Sequence, residues 1–139
     1  MTSPSANFDF GVAWLALAVA LALHVADEAA NNFLAFYNPR ALAIRRRLHV
    51  PFPPVFTYRT WFAGLLAGIA LLFLLSPAAF HGARWIRIVA LPLSILVGLC
   101  NAAGHLIGSM IYRRPLAGLL SSPALLIGGS WLLWASLHD

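Results

Sequence analysis

The chain has no lysine, four carboxylates and one cysteine in 139 residues. Charged residues make up 9% of it, against about 25% in an average soluble domain. So few charges cannot cover the surface of a soluble fold this small. A soluble enzyme, a disordered tail and a nucleic-acid-binding domain are therefore excluded. The formal net charge of +5 is spread along connecting segments and forms no stripe for phosphates, so no nucleic-acid partner is expected. Cys100 has no second cysteine to pair with and supports no cysteine-rich zinc site; it is expected as a buried, inert thiol. Period-two alternation is missing, which disfavours a barrel. The residues before Phe10 lack a basic group, so no cleavable leader is expected.

What is present is apolar: 61% of residues are hydrophobic, against roughly 45–50% on average. Four stretches, at about 11–37, 60–80, 86–112 and 116–137, approach or exceed the ~20 residues that cross a bilayer core. The expected fold is all-α, a single membrane domain over 1–139 built as a four-transmembrane-helix bundle. Arginine alone sets topology. Arg40, Arg45, Arg46, Arg47 and Arg59 fall in the first connection, Arg113 and Arg114 in the third, and only Arg84 and Arg87 in the second. The positive-inside rule then puts the Arg-rich loops in the cytoplasm and both termini outside, with Asp9 and Asp139 at the outer ends. A bacterial inner membrane is the expected location. Pro92 is expected to kink the third span and Pro123 the fourth. Residues 41–48 are expected as a short interfacial helix whose arginines serve topology. Gly64 and Gly68 have the spacing of a close helix contact, a pattern that chance explains equally well in a chain where Gly and Ala together are abundant.

Ionisable residues inside a span are costly, by about 2.5–3.5 kcal/mol each, and point to function. The first span carries His24, Asp27 and Glu28, followed by Asn31 and Asn32. The third carries Asn101 and His105. His24 and Glu28 are one helical turn apart, as are Asn101 and His105. Glu28 and His105 lie at similar depths from the interfacial Tyr37 and Tyr112, so the two sets can meet at one level. His24, Glu28 and His105 form a ligand set for one divalent metal, zinc or iron. Glu28, Asp27, Asn101 and His105 are the candidate catalytic residues. Asp27 is a fourth ligand, a supporting partner or a general base, and Asn101 orients substrate. Metal-free acid–base chemistry by the His–carboxylate pair is equally physical. A polar knot between helices is the plainer alternative, but it does not need two carboxylates. Ser121 and Ser122 lack a pattern that would activate a nucleophile, so a serine hydrolase is disfavoured.

These motifs resemble the HXXEE family of small membrane proteins of uncharacterised function. The first reads His24-Val25-Ala26-Asp27-Glu28 and the second Asn101-Ala102-Ala103-Gly104-His105. The third is approximate, Tyr112-Arg113-Arg114-Pro115 with Gly118 further on. The resemblance covers roughly residues 14–120. Asp27 stands where the family motif has its first glutamate, and the Pro-Gly pair of the third motif is absent. The resemblance implies a shared site in the first and third helices and supplies no reaction.

The leading expectation is a membrane enzyme acting on a lipid-like or amphiphilic substrate, with membrane lipids as surroundings. Hydrolysis at a metal-activated water comes first, acid–base isomerisation or cyclisation second. A non-catalytic subunit or assembly factor of a larger membrane complex, or a homo-oligomer, is the alternative. An enzyme needs the polar cluster open to a cavity, whereas an accessory subunit can have it closed and fully hydrogen-bonded.

Overall fold

The computed structural model describes residues 4–138, so Asp139 lies outside the described residues. Regular structure among these is entirely helical: α1 (Pro4–Ala30), α2 (Phe33–Leu48), α3 (Tyr58–Leu74), α4 (Ser76–Phe80), α5 (Arg84–Pro92), α6 (Asn101–Tyr112) and α7 (Ser122–Leu137), with a π-helical stretch, Leu93–Cys100, joining α5 to α6. Three helical units are long and apolar enough to cross a membrane: Pro4–Ala30, Tyr58–Phe80 and Arg84–Tyr112. The fourth expected span is a 16-residue apolar helix, α7. At 1.5 Å per residue it is about 24 Å long, short of a core about 30 Å thick.

Three boundaries differ from expectation, each for a local reason. The first helix stops at Ala30 because Asn32 adopts a left-handed conformation, φ 55°, which asparagine tolerates better than most residues. The chain then turns into α2, so much of the expected loop is helical. The last helix starts at Ser122, since Gly118, φ 86°, turns the chain and Pro123 occupies the first helical turn, where a missing N–H is harmless. Pro123 thus starts α7 rather than kinking it. Pro92 ends α5, and the ladder resumes with one extra residue per hydrogen-bonded ring as the π stretch. Such widened turns often sit beside functional residues. This one immediately precedes Asn101 and His105.

The core is built on α1. Phe10, Trp14, Leu17 and Leu21 form its buried stripe, and Trp14 Nε1 donates to the Leu72 carbonyl at 2.9 Å, tying α3 to α1. Helix α7 packs on α1 and on the π stretch at backbone distance. A Cβ on Gly98 would lie 2.6 Å from Gly129 Cα, and one on Gly128 would lie 3.2 Å from Leu17 Cα. Close approach of this kind is how helices associate where lipid removes the hydrophobic drive. Buried serines find backbone partners: Ser94 donates to the Ala90 carbonyl at 2.8 Å, and Ser109 accepts from the Leu116 N–H at 3.1 Å. The outer surface is apolar, with Leu74, Met110, Ile111 and Ile127 among the most exposed side chains.

The ends of the bundle are distinct. Arg40 reaches Tyr112, and Arg114 lies over Phe36, so the first and third connections share one end. Arg87 lies over Phe10 and donates to Asn7 and to the Ala135 carbonyl, at the other end with the start of α1 and the end of α7.

Candidate functional site

At the Arg-rich end of α1 the side chains of His24, Glu28 and His105 are all buried. Glu28 Oε1 lies 3.0 Å from His105 Nε2 and 3.7 Å from His24 Nε2. The imidazoles meet edge to face with centroids 4.7 Å apart. Phe33, at the start of α2, tilts against His105 at 5.7 Å and stacks on Trp61 at 5.9 Å. The first and third spans thus bring together the two turns that carry their ionisable residues.

Hydrogen-bond accounting fixes the tautomer of His24. Asp27 Oδ2 accepts from the Ser121 backbone N–H at 3.0 Å and from its hydroxyl at 2.8 Å. An ionised carboxylate only accepts. With its proton directed there, Ser121 Oγ accepts from His24 Nδ1 at 2.9 Å. The ring proton of His24 is therefore assigned to Nδ1, and Nε2 keeps its lone pair. That Nε2 is buried and has no hydrogen-bond partner. A lone-pair imidazole nitrogen facing a carboxylate has the donor chemistry of a metal ligand.

The ligand atoms of His24, Glu28 and His105 all lie within 4.8 Å of one another, and the three residues could hold a metal ion. A tetrahedral zinc with bonds near 2.0–2.1 Å separates its ligand atoms by roughly 3.4 Å. The two Glu28–His distances, 3.0 and 3.7 Å, bracket that spacing. The Asp27–Ser121–His24 chain matches the supporting shell of metal-bound histidines, which donate their other N–H and are oriented by it.

Gly118 closes the site from the α6–α7 connection. A Cβ there would lie 2.8 Å from His105 Nδ1 and 2.8 Å from His24 Cε1, and its φ is +86°. Only glycine lets the backbone lie against both rings. On the other side, His105 and Asn101 line a cavity of about 320 Å³ with Gly104, Tyr112 and Arg40. No side-chain hydrogen bond holds Asn101 among the described residues. It is half-buried, with its amide free for a guest.

Of the candidate residues, His24, Glu28 and His105 converge, Asn101 stands at the cavity wall, and Asp27 points away to Ser121 and Asn31. Asn31 donates to Asp27 Oδ1 at 2.8 Å and is exposed. Cys100 is exposed, not buried, because the π stretch turns it outward onto the cavity. Sequence reasoning missed Ser121. It lies far along the chain from His24, and only the Gly118 turn brings it back. The available signal was a serine ahead of the Pro123 helix start, which reads as a helix boundary and not as a histidine partner. No family model, curated protein or solved structure matches the chain.

Proposed function

We propose that this chain is a membrane-embedded hydrolase of lipid-like or amphiphilic substrates, with one divalent metal, zinc or iron, held by His24, Glu28 and His105. The observation that carries the reading is the orphaned His24 Nε2, held in its tautomer by Ser121 and facing Glu28. When bound, such a metal supplies a water ionised near neutral pH. The chain's own residues supply the rest. Asp27 fixes Ser121, and Ser121 fixes the His24 ring. Asn101 offers its amide to a polar group in the cavity, and Gly118 brings backbone against the rings. The open cavity beside His105 favours an enzyme over an accessory subunit, whose polar cluster could be closed and fully bonded. Membership of the HXXEE family is part of the same proposal. So is a bacterial inner membrane with the Arg-rich end cytoplasmic, which the grouping of Arg40 and Arg114 at one end supports.

The second reading is metal-free acid–base chemistry by Glu28 and His105, favoured by their 3.0 Å contact. Metal analysis of protein purified without chelator separates the two. The hydrolase reading expects about one zinc or iron per chain, lost in Glu28→Gln and in His105→Ala by about 100-fold in affinity or more. Asp27→Asn should keep metal at reduced affinity and lose hydrolysis of a p-nitrophenyl acyl ester presented in nanodiscs. Metal absent from the wild type, or equal in all four proteins, overturns the metal site and leaves the acid–base pair.

A further inference from the structure

The side of the third span that faces α3 is open. Between α1, α3 and this span lies an apolar cleft of about 730 Å³, within the ~300–1,000 Å³ common for ligand sites. Trp14, Leu65, Leu72 and Val97 contribute to its walls. Gly64 and Gly68 line it too, and a Cβ on either would meet nothing within 4 Å. Cys100 and Asn101 line both this cleft and the smaller cavity that reaches His105. An apolar groove and a smaller cavity that holds Asn101, His105 and Arg40 therefore adjoin at one turn of helix. From Gly64 to Leu75 the cleft follows about 16 Å of helix rise, close to half of a hydrocarbon core about 30 Å thick. Its length matches one leaflet.

Arg40 lines this smaller cavity. Its guanidinium carbon sits 3.4 Å from the Phe36 ring centroid and 4.6 Å from that of Tyr112. It donates to the Phe36 carbonyl at 2.7 Å and to the Tyr112 hydroxyl at 3.2 Å. No carboxylate pairs with it among the described residues. An oriented, half-buried guanidinium without a counter-ion is a receptor for phosphate or carboxylate.

We infer that the substrate is an anionic lipid of the surrounding leaflet, with one acyl chain in the α3 cleft, its linkage beside Asn101 and His105, and its anionic head on Arg40. This rests on the reading of the site as a hydrolase of lipid-like molecules. The cleft opens sideways to the bilayer, so a second chain can remain among neighbouring lipids.

The test is photo-crosslinking in phosphatidylcholine nanodiscs. The probes are a lysophosphatidic acid with a mid-chain diazirine and an uncharged monoacylglycerol with the same chain. Adducts are expected on α3 and on the π stretch along the cleft. Gly64→Leu and Gly68→Leu place a side chain in open space and favour helix, so both should fold. Each should lower the yield of both probes by about tenfold, as lost burial of a few methylenes implies. Arg40→Gln should lower the phosphate probe about tenfold and leave the neutral probe unchanged, with partial recovery in Arg40→Lys. Adducts spread over bilayer-facing residues such as Met110 and Ile127, at the same yield in every variant, overturn the inference. A dimer that Gly64→Leu dissociates also overturns it, because the cleft is then an interface between two copies. Metal content is measured on the same samples. Metal-free wild type that still labels along the cleft sinks the hydrolase reading alone.

Discussion

Gly98 and Gly64 both sit in apolar helices, and the structure uses them in opposite ways. Gly98 meets Gly129 across a seam where a single Cβ would lie 2.6 Å from backbone. Gly64 and Gly68 face empty space, with nothing within 4 Å. The first pair closes the third span against α7, and the second leaves it open toward α3. Absence of a side chain creates contact where the partner is also small and backbones can approach. Where the facing residues are large, such as Leu93 and Leu96, it creates a cleft. The bundle is tight along the Gly98–Gly129 seam and open along the α3 cleft, which ends at Cys100 and Asn101.

The largest expected effect is on the closed seam. Gly129→Leu should cost several times the about 1–3 kcal/mol of ordinary overpacking, because no flexible side chain can move aside. Folded protein in mild detergent should fall sharply, and wild-type thermal stability in this variant would show that the seam is not closed in the membrane. An intermediate effect is expected at Ser121, which separates the held half of the polar cluster from its open half. Ser121→Ala leaves the buried His24 N–H without its acceptor, costing about 1–3 kcal/mol, and should weaken zinc binding about 10–100-fold. Unchanged affinity by competition with a chelating dye would mean that Ser121 does not set the His24 tautomer. The smallest effect belongs to the open side. Gly64→Leu should leave thermal stability within about 1 kcal/mol of wild type, on the stabilising side, from helix propensity alone. A loss comparable to that of Gly129→Leu would erase the distinction between the two faces.

Much of the site was legible because helical spacing is local. His24 and Glu28 share a face wherever that helix goes, as do Asn101 and His105. The expected depth of Glu28 was counted along an unbroken helix to Tyr37, and α1 ends instead at Ala30, so the contact of Glu28 with His105 rests on how the two spans pack. Ser121, Gly118 and Arg40 were not legible as site residues, because each arrives through a turn. Asn32 sends α2 back so that Arg40 reaches the cavity beside His105, and Gly118 folds the α6–α7 connection onto both imidazoles. The glycine spacing at Gly64 and Gly68 suggested close packing as readily as chance, and the glycines that meet the backbone of a neighbouring helix are instead Gly98, Gly128 and Gly129.

Composition by itself determined that the chain is helical and suited to a membrane, since so few charges and such long apolar runs leave the backbone no other way to satisfy its hydrogen bonds in lipid. It also singled out the candidate site residues, since an ionisable group among so many aliphatic ones stands out without any coordinates. Tertiary structure alone decided that three helices are long enough to cross, which nitrogen of His24 is left free, and which side of the third span is open. Those outcomes depend on where turns redirect the chain and on which small residues find small partners. Both are relations between distant segments that no local pattern encodes.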